Sequence, residues 1–168
     1  MQAIITAFWQ IVLFRSGPQT LPASNPLLIF VALVYVAANT LFVLVEFAAD
    51  SLPAVLADLL LLIVWCSGLL IFFNFSARIV QTLTALFGTG ALLQFLTLPI
   101  VVLADFGLPA GIYLLAVVMV WLWSTAVHGF VLAEALDKSF GVGVALAVVY
   151  FLLSNGLVGA LLVPVETP

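Results

Sequence analysis

Five apolar runs, each long enough to cross a bilayer as a helix, follow one another in this chain with only short turns between them. They cover residues 26–45, 54–73, 79–103, 110–133 and 140–163, and the second is broken only by Asp58. A hydrocarbon core of about 30 Å takes roughly 20 apolar residues in helical form, because a helix satisfies its own backbone hydrogen bonds as it crosses. The separators, 46–53, 74–78, 104–109 and 134–139, hold nearly all the charges and many of the prolines. The expected fold is all-α: one polytopic membrane helix bundle, residues 1–168, of five transmembrane helices joined by tight turns.

Composition removes the soluble alternative. Hydrophobic residues make up 67% of the chain and charged residues 6%, against about 25% charged in a soluble domain. Three Lys/Arg and seven Asp/Glu cannot coat a core of that size. The basic residues, Arg15, Arg78 and Lys138, are too few and too scattered to neutralise a run of phosphates, which excludes nucleic acid as a partner. Cys66, the single cysteine, has no partner for an internal disulfide and reads as a small buried residue. No cofactor and no metal site are expected.

Residues 1–14 are apolar but too short to span. Gln2, Thr6 and Gln10 recur every four residues and form a polar stripe, with Ile4, Ile5, Phe8, Trp9 and Val12 on the rest of the surface. This pattern predicts an N-terminal interfacial helix with Trp9 at headgroup depth. A cleaved leader is disfavoured by the absence of a basic start. Residues 15–25 carry Pro18, Pro22, Gly17, Ser16 and Ser24 and read as an extended linker at the membrane surface. Ser24 or Asn25 is placed to cap the first span, with Pro26 in its opening turn.

With five crossings, Arg15, Arg78 and Lys138 fall on one side of the membrane. Glu46, Asp50, Asp105 and Glu166 fall on the other. Basic residues hold loops in the cytoplasm. The expected arrangement therefore has the N-terminus cytoplasmic and the C-terminus outside. Very short loops point to a bacterial inner membrane.

Polar groups inside a bilayer are costly and mark helix contacts or function. Counted from the outer helix ends at about 1.5 Å per residue, Asp58 lies roughly 8 Å deep, Asn39 roughly 10 Å, Asn155 roughly 13 Å and Gln94 roughly 16 Å. Four spans thus bring a hydrogen-bonding side chain to the outer half, with Asp58 the ionisable one. Asp58 is expected to be either protonated or hydrogen-bonded to Asn39, Gln94 or Asn155. A second polar face on the fourth span carries Trp121, Ser124, Thr125 and His128, which share one side of a helix. His128 counts as nearer the cytoplasmic end, so the two groups are expected to stay apart. Gly88, Gly90, Gly141, Gly143, Ala145, Gly156 and Ala160 mark faces where helices approach closely. No HExxH, GxSxG or phosphate-loop pattern is present, and the chain is not expected to be an enzyme.

The stretch WLWSTAVHGFVLAEALDKSFGVGVALAVVYFLL, residues 121–153, resembles the Trp-bearing fourth span, short polar turn and small-residue-rich fifth span of the Yip1 family of five-span membrane proteins. The N-terminal arm, with RSGPQTLP at 15–22, is shorter than in that family's eukaryotic members. The resemblance implies a non-enzymatic protein whose partners are membrane lipids, other membrane proteins or a second copy of itself. The first functional expectation is a scaffold or interaction protein associating through its helices. The alternative is a small transporter or lipid-handling protein using the outer polar cluster around Asp58.

Overall fold

A computed structural model describes residues 2–47 and 52–162. Six helices account for it: α1 (Gln2–Val12), α2 (Asn25–Phe47), α3 (Leu52–Phe72), α4 (Ile79–Asp105), α5 (Ala110–Leu136) and α6 (Phe140–Leu162). No strand occurs among the described residues. α2 to α6 are each long and apolar enough to cross a membrane, and α1 is the expected short N-terminal helix. Asp50, Glu166 and the end of the fifth run at Val163 lie outside the described residues.

Four of the helices stop in the same way. After α1, α3, α4 and α5 one residue turns left-handed, at Phe14 (φ 57°), Asn74 (φ 64°), Gly107 (φ 93°) and Asp137 (φ 51°). The next N–H then reaches back five residues: Arg15 to the Gln10 carbonyl, Phe75 to Leu70, Leu108 to Leu103 and Lys138 to Ala133, at 2.7–3.1 Å. This closure satisfies carbonyls that a helix end leaves open, which matters most near an apolar phase. Glycine takes the left-handed conformation freely, and Asn and Asp tolerate it. Phe14 does not, at a cost of about 1–2 kcal/mol. Its ring is held by edge contacts with Trp123 (5.2 Å), Phe130 (5.4 Å) and Phe140 (6.2 Å). Packing from α5 and α6, not local preference, sets that turn. At the start of α2 the Ser24 hydroxyl accepts the Leu27 N–H at 3.4 Å.

Neighbouring pairs α2–α4, α4–α5, α5–α6, α6–α3 and α3–α2 close into a ring of five spans. α4 is the most buried of them, with residues 82–89 buried without a break. Its threonines Thr82, Thr84, Thr89 and Thr97 hide their hydroxyls by bonding carbonyls four residues back, at 2.7–2.8 Å. The ring is tight at the end that carries Arg78 and Lys138, where every buried residue of α5 lies between Thr125 and Leu136. There α5 and α6 meet backbone to backbone. A Cβ on Gly143 would collide with the Gly129 carbonyl oxygen and stand 2.8 Å from the Ala133 nitrogen, and one on Gly129 would stand 2.7 Å from Val144 Cα. Toward the opposite end α5 has no buried residue from Ala110 to Ser124. The two helices are pinned at one end and part toward the other.

The N-terminal arm is more firmly seated than its composition implies. Phe8, Ile11 and Val12 are buried. Phe8 rests on Gly88, where an added Cβ would stand 2.5 Å from the Phe8 Cζ, and Val12 packs with Leu93 and Val127. Gly88 and Leu93 lie well inside α4, so α1 is seated against the flank of the bundle. Residues 15–25, expected as an extended linker at the membrane surface, contain a turn and are tied to the bundle. Pro18–Thr20 form a 3-10 turn with Pro18 and Leu21 buried. Gln81 Nε2 donates to the Leu21 carbonyl at 2.8 Å, and Gln19 Nε2 donates to Glu134 at 3.2 Å. The prolines that suggested a loose surface segment instead shape a strap across α4 and α5. At the same end, Arg78 pairs with Asp137 and donates to the Ala135 carbonyl, both at 3.0 Å.

Candidate functional site

Where α5 and α6 part lies a partly open cavity of about 650 Å³ to which all five spans contribute. α2 supplies Tyr35, Asn39, Phe42 and Val43, and α3 supplies Val55 and Asp58. α4 brings Gly90, Leu93, Gln94 and Thr97. α5 presents Val117, Val120, Trp121, Ser124 and His128, and α6 presents Tyr150, Phe151, Ser154, Asn155, Val158 and Gly159. The cavity runs from the middle of the bundle toward the end away from Arg78 and Lys138.

Asp58 is the hub of its hydrogen bonding. Tyr35 Oη donates to Oδ2 at 2.7 Å and Tyr150 Oη donates to Oδ1 at 2.7 Å. The Ser154 hydroxyl also bonds Oδ1. One carboxyl thereby joins α3 to α2 and α6. The Tyr35 ring reaches it by passing Gly90, where an added Cβ would stand 2.9 Å from the Tyr35 Cε2. It leans on Phe87 with centroids 5.3 Å apart.

The four residues expected to cluster, Asn39, Asp58, Gln94 and Asn155, all line this cavity. The partners expected for Asp58 are not the ones it has. Asn39 Nδ2 donates to the Tyr35 carbonyl at 2.8 Å, and Asn155 Nδ2 donates to the Phe151 carbonyl at 2.7 Å. Each amide turns back on its own helix, where a carbonyl four residues earlier lies within reach without any helix movement. Tyr35, Tyr150 and Ser154 took the positions next to the carboxyl instead. Their signal lay in the spacing: Tyr35 with Asn39, and Tyr150 with Ser154, stand four apart on otherwise apolar spans. A tyrosine ten residues inside a span is also too deep for the headgroup belt where tyrosines commonly sit.

The second polar face is not separate. Trp121, Ser124 and His128 line the same cavity as Asp58, while Thr125 is buried behind them with its hydroxyl on the Trp121 carbonyl at 2.9 Å. His128 stacks on Tyr150 with centroids 6.3 Å apart and planes 11° from parallel, so Tyr150 stands between the imidazole and the carboxyl. Depths counted separately along each helix assume spans of equal length and tilt. α5 has 27 residues and α3 has 21, and the Tyr150 side chain bridges the remaining gap.

No family model, curated protein or solved structure matches this chain. The site must therefore be read from its chemistry alone. His128 Nδ1 lies 2.9 Å from the Ser124 carbonyl; a carbonyl only accepts, so Nδ1 carries the proton and the neutral ring keeps a lone pair on Nε2. The amide oxygens of Asn39 and Asn155 remain available as acceptors, and each amide nitrogen keeps a second N–H beyond the one given to its own backbone. Aromatic and aliphatic side chains, among them Phe42, Trp121, Phe151 and Val120, make up the walls. Among the described residues no three His, Cys, Asp or Glu side chains come together. The cavity offers one carboxyl, several neutral acceptors and aromatic faces.

Proposed function

We propose that this chain is a non-enzymatic membrane carrier or binding protein for a small amphipathic molecule, with the cavity around Asp58 as its site. The observation that carries the reading is the cavity of about 650 Å³ reaching an ionisable residue inside the bundle. Small-molecule sites are commonly about 300–1,000 Å³, mostly apolar, with a few placed polar groups. An ionisable side chain within a span most often marks a substrate or ion path. A scaffold held by helix contacts has no use for either. The scaffold reading, the first expectation from the sequence, keeps the support of the resemblance to the Yip1 family, which implies lipids or membrane proteins as partners. Segregation of Arg15, Arg78 and Lys138 supports a cytoplasmic N-terminus, so the cavity would face the outside of what we take to be a bacterial inner membrane.

Gly159 lines the cavity, and a Cβ there meets nothing within 4 Å. Gly159→Trp therefore adds an indole at the cavity lining with no clash at its Cβ, and serves as the plug. Wild type and plugged protein, extracted in native lipid particles, are compared by mass spectrometry of the small molecules and lipids that remain bound. The carrier reading expects a species retained by wild type and lost from the plugged variant. Identical complements on both, together with a stable self-association or a co-purifying membrane protein, would support the scaffold instead.

A further inference from the structure

We propose that the occupant of this cavity is a monovalent organic cation: a protonated amine carried on an apolar, preferably aromatic body. The inference rests on reading the cavity as a binding site. It begins with charge. Among the described residues Asp58 is the one acidic side chain lining the cavity, and no Lys or Arg lines it. The basic side chains Arg78 and Lys138 are at the far end of the bundle, where Arg78 is paired with Asp137 and Lys138 lies over the Phe73 ring. Three hydroxyls solvate the carboxylate. Their dipoles soften its charge without cancelling it. A carboxylate offers about four acceptor positions, and one remains after Tyr35, Tyr150 and Ser154 are counted.

The neutral groups point to the same chemistry. The free amide oxygens of Asn39 and Asn155 and the Nε2 lone pair of His128 are acceptors, as an ammonium group with two or three N–H donors requires. Trp121, Phe151 and Tyr150 add ring faces, and a cation over an aromatic face gains further when water is excluded. An anion finds no positive group here. A neutral molecule leaves the charge of Asp58 uncompensated.

The test uses the full chain in nanodiscs of uncharged lipid, with empty nanodiscs subtracted, and three probes sharing one body: 4-phenylbutylammonium, 4-phenylbutanol and 4-phenylbutanoate. Equilibrium dialysis is expected to give the amine an advantage of about tenfold or more over the alcohol, the factor that follows from losing one charge-assisted hydrogen bond. The carboxylate should bind least. In Asp58→Asn the ratio of amine to alcohol binding should fall to about one. Alcohol or carboxylate binding as tight as the amine would overturn the cation inference and leave the cavity reading standing. Failure of all three to bind, or equal binding by Gly159→Trp, would remove the cavity reading as well.

Discussion

Replacing Gly143 by alanine adds one methyl group at the point where α6 meets α5, and its consequence can be worked from the distances there. The new Cβ would collide with the Gly129 carbonyl oxygen, and would stand 2.7 Å from the Ala133 Cβ and 2.8 Å from the Ala133 nitrogen. Two of these are backbone atoms of a helix, so no side-chain rotation relieves the clash. The helices must separate. Overpacking of this kind costs about 1–3 kcal/mol, and in a bilayer the packing given up as the helices move apart is not replaced by any hydrophobic gain. Gly141 is the internal control, because it lies on the same helix two residues away and a Cβ there meets nothing within 4 Å. There the gain in helix propensity, up to about 1 kcal/mol, stands alone. That gain is common to both variants, so unfolding of the full chain in detergent should place Gly143→Ala about 1–3 kcal/mol below Gly141→Ala. Gly129→Ala should be similarly harmful, and the double variant should cost less than the sum of the two single variants, since both strike the same crossing point. A Gly143→Ala protein within about 0.5 kcal/mol of Gly141→Ala would refute the pinned crossing, and with it the account of why the cavity opens at the other end.

Asp58→Leu leaves the hydroxyls of Tyr35, Tyr150 and Ser154 without their acceptor. At about 0.6–1.7 kcal/mol for each hydrogen bond inside a membrane, thermal unfolding should show a loss of about 2–5 kcal/mol; Asp58→Asn keeps an acceptor and should lose about 1 kcal/mol or less. Gly88→Ala removes the seat of Phe8, so trypsin, which has Arg15, Arg78 and Lys138 as its sites, should cut faster after Arg15; unchanged cleavage would mean that α1 is held by other packing. A reporter fused after Pro168 should be exported and one fused after Lys138 should stay in the cytoplasm, and finding both on one side would end the five-span topology.

The fold was legible because span length is set by bilayer thickness, a constraint stronger than any local preference. Helix ends were legible where glycine or a small polar residue occupies the turn, as at Gly107, Asn74 and Asp137. They were not legible at Phe14, where the left-handed turn is imposed by rings from α5 and α6 that are more than a hundred residues away in the chain. The arm from Gly17 to Leu21 escaped for a related reason: prolines report what the backbone can do, and only the position of Gln81 and Glu134 tells what it is tied to. At the site, the cost of a buried polar group identified Asp58, Asn39, Gln94 and Asn155 as residues to watch. It said nothing of which neighbours would satisfy them. Asparagine was the obvious partner for the carboxyl, yet an asparagine on a helix has a carbonyl within reach four residues back, and the tyrosines, with their longer reach, bonded Asp58.

That choice of partners bears on how a carrier built this way would work. α3 packs chiefly on α6, and its contact with α2 is slight. Tyr35, donating to Asp58 from α2, therefore adds a hydrogen bond that fastens α3 to α2. Tyr150 and Ser154 do the same for α3 and α6 on the other carboxyl oxygen. Three bonds of about 0.6–1.7 kcal/mol each are enough to hold the ring closed, and few enough for a charged ligand to weaken. A cation at the remaining acceptor position of Asp58 would compete with the three hydroxyls for the charge of the carboxyl and loosen α3 against its neighbours. The opposite end, locked by Gly129 against Gly143 and strapped by Gln19 and Gln81, stays fixed. Binding and helix movement would then be coupled through one carboxyl, with movement confined to the half of the ring that holds the cavity.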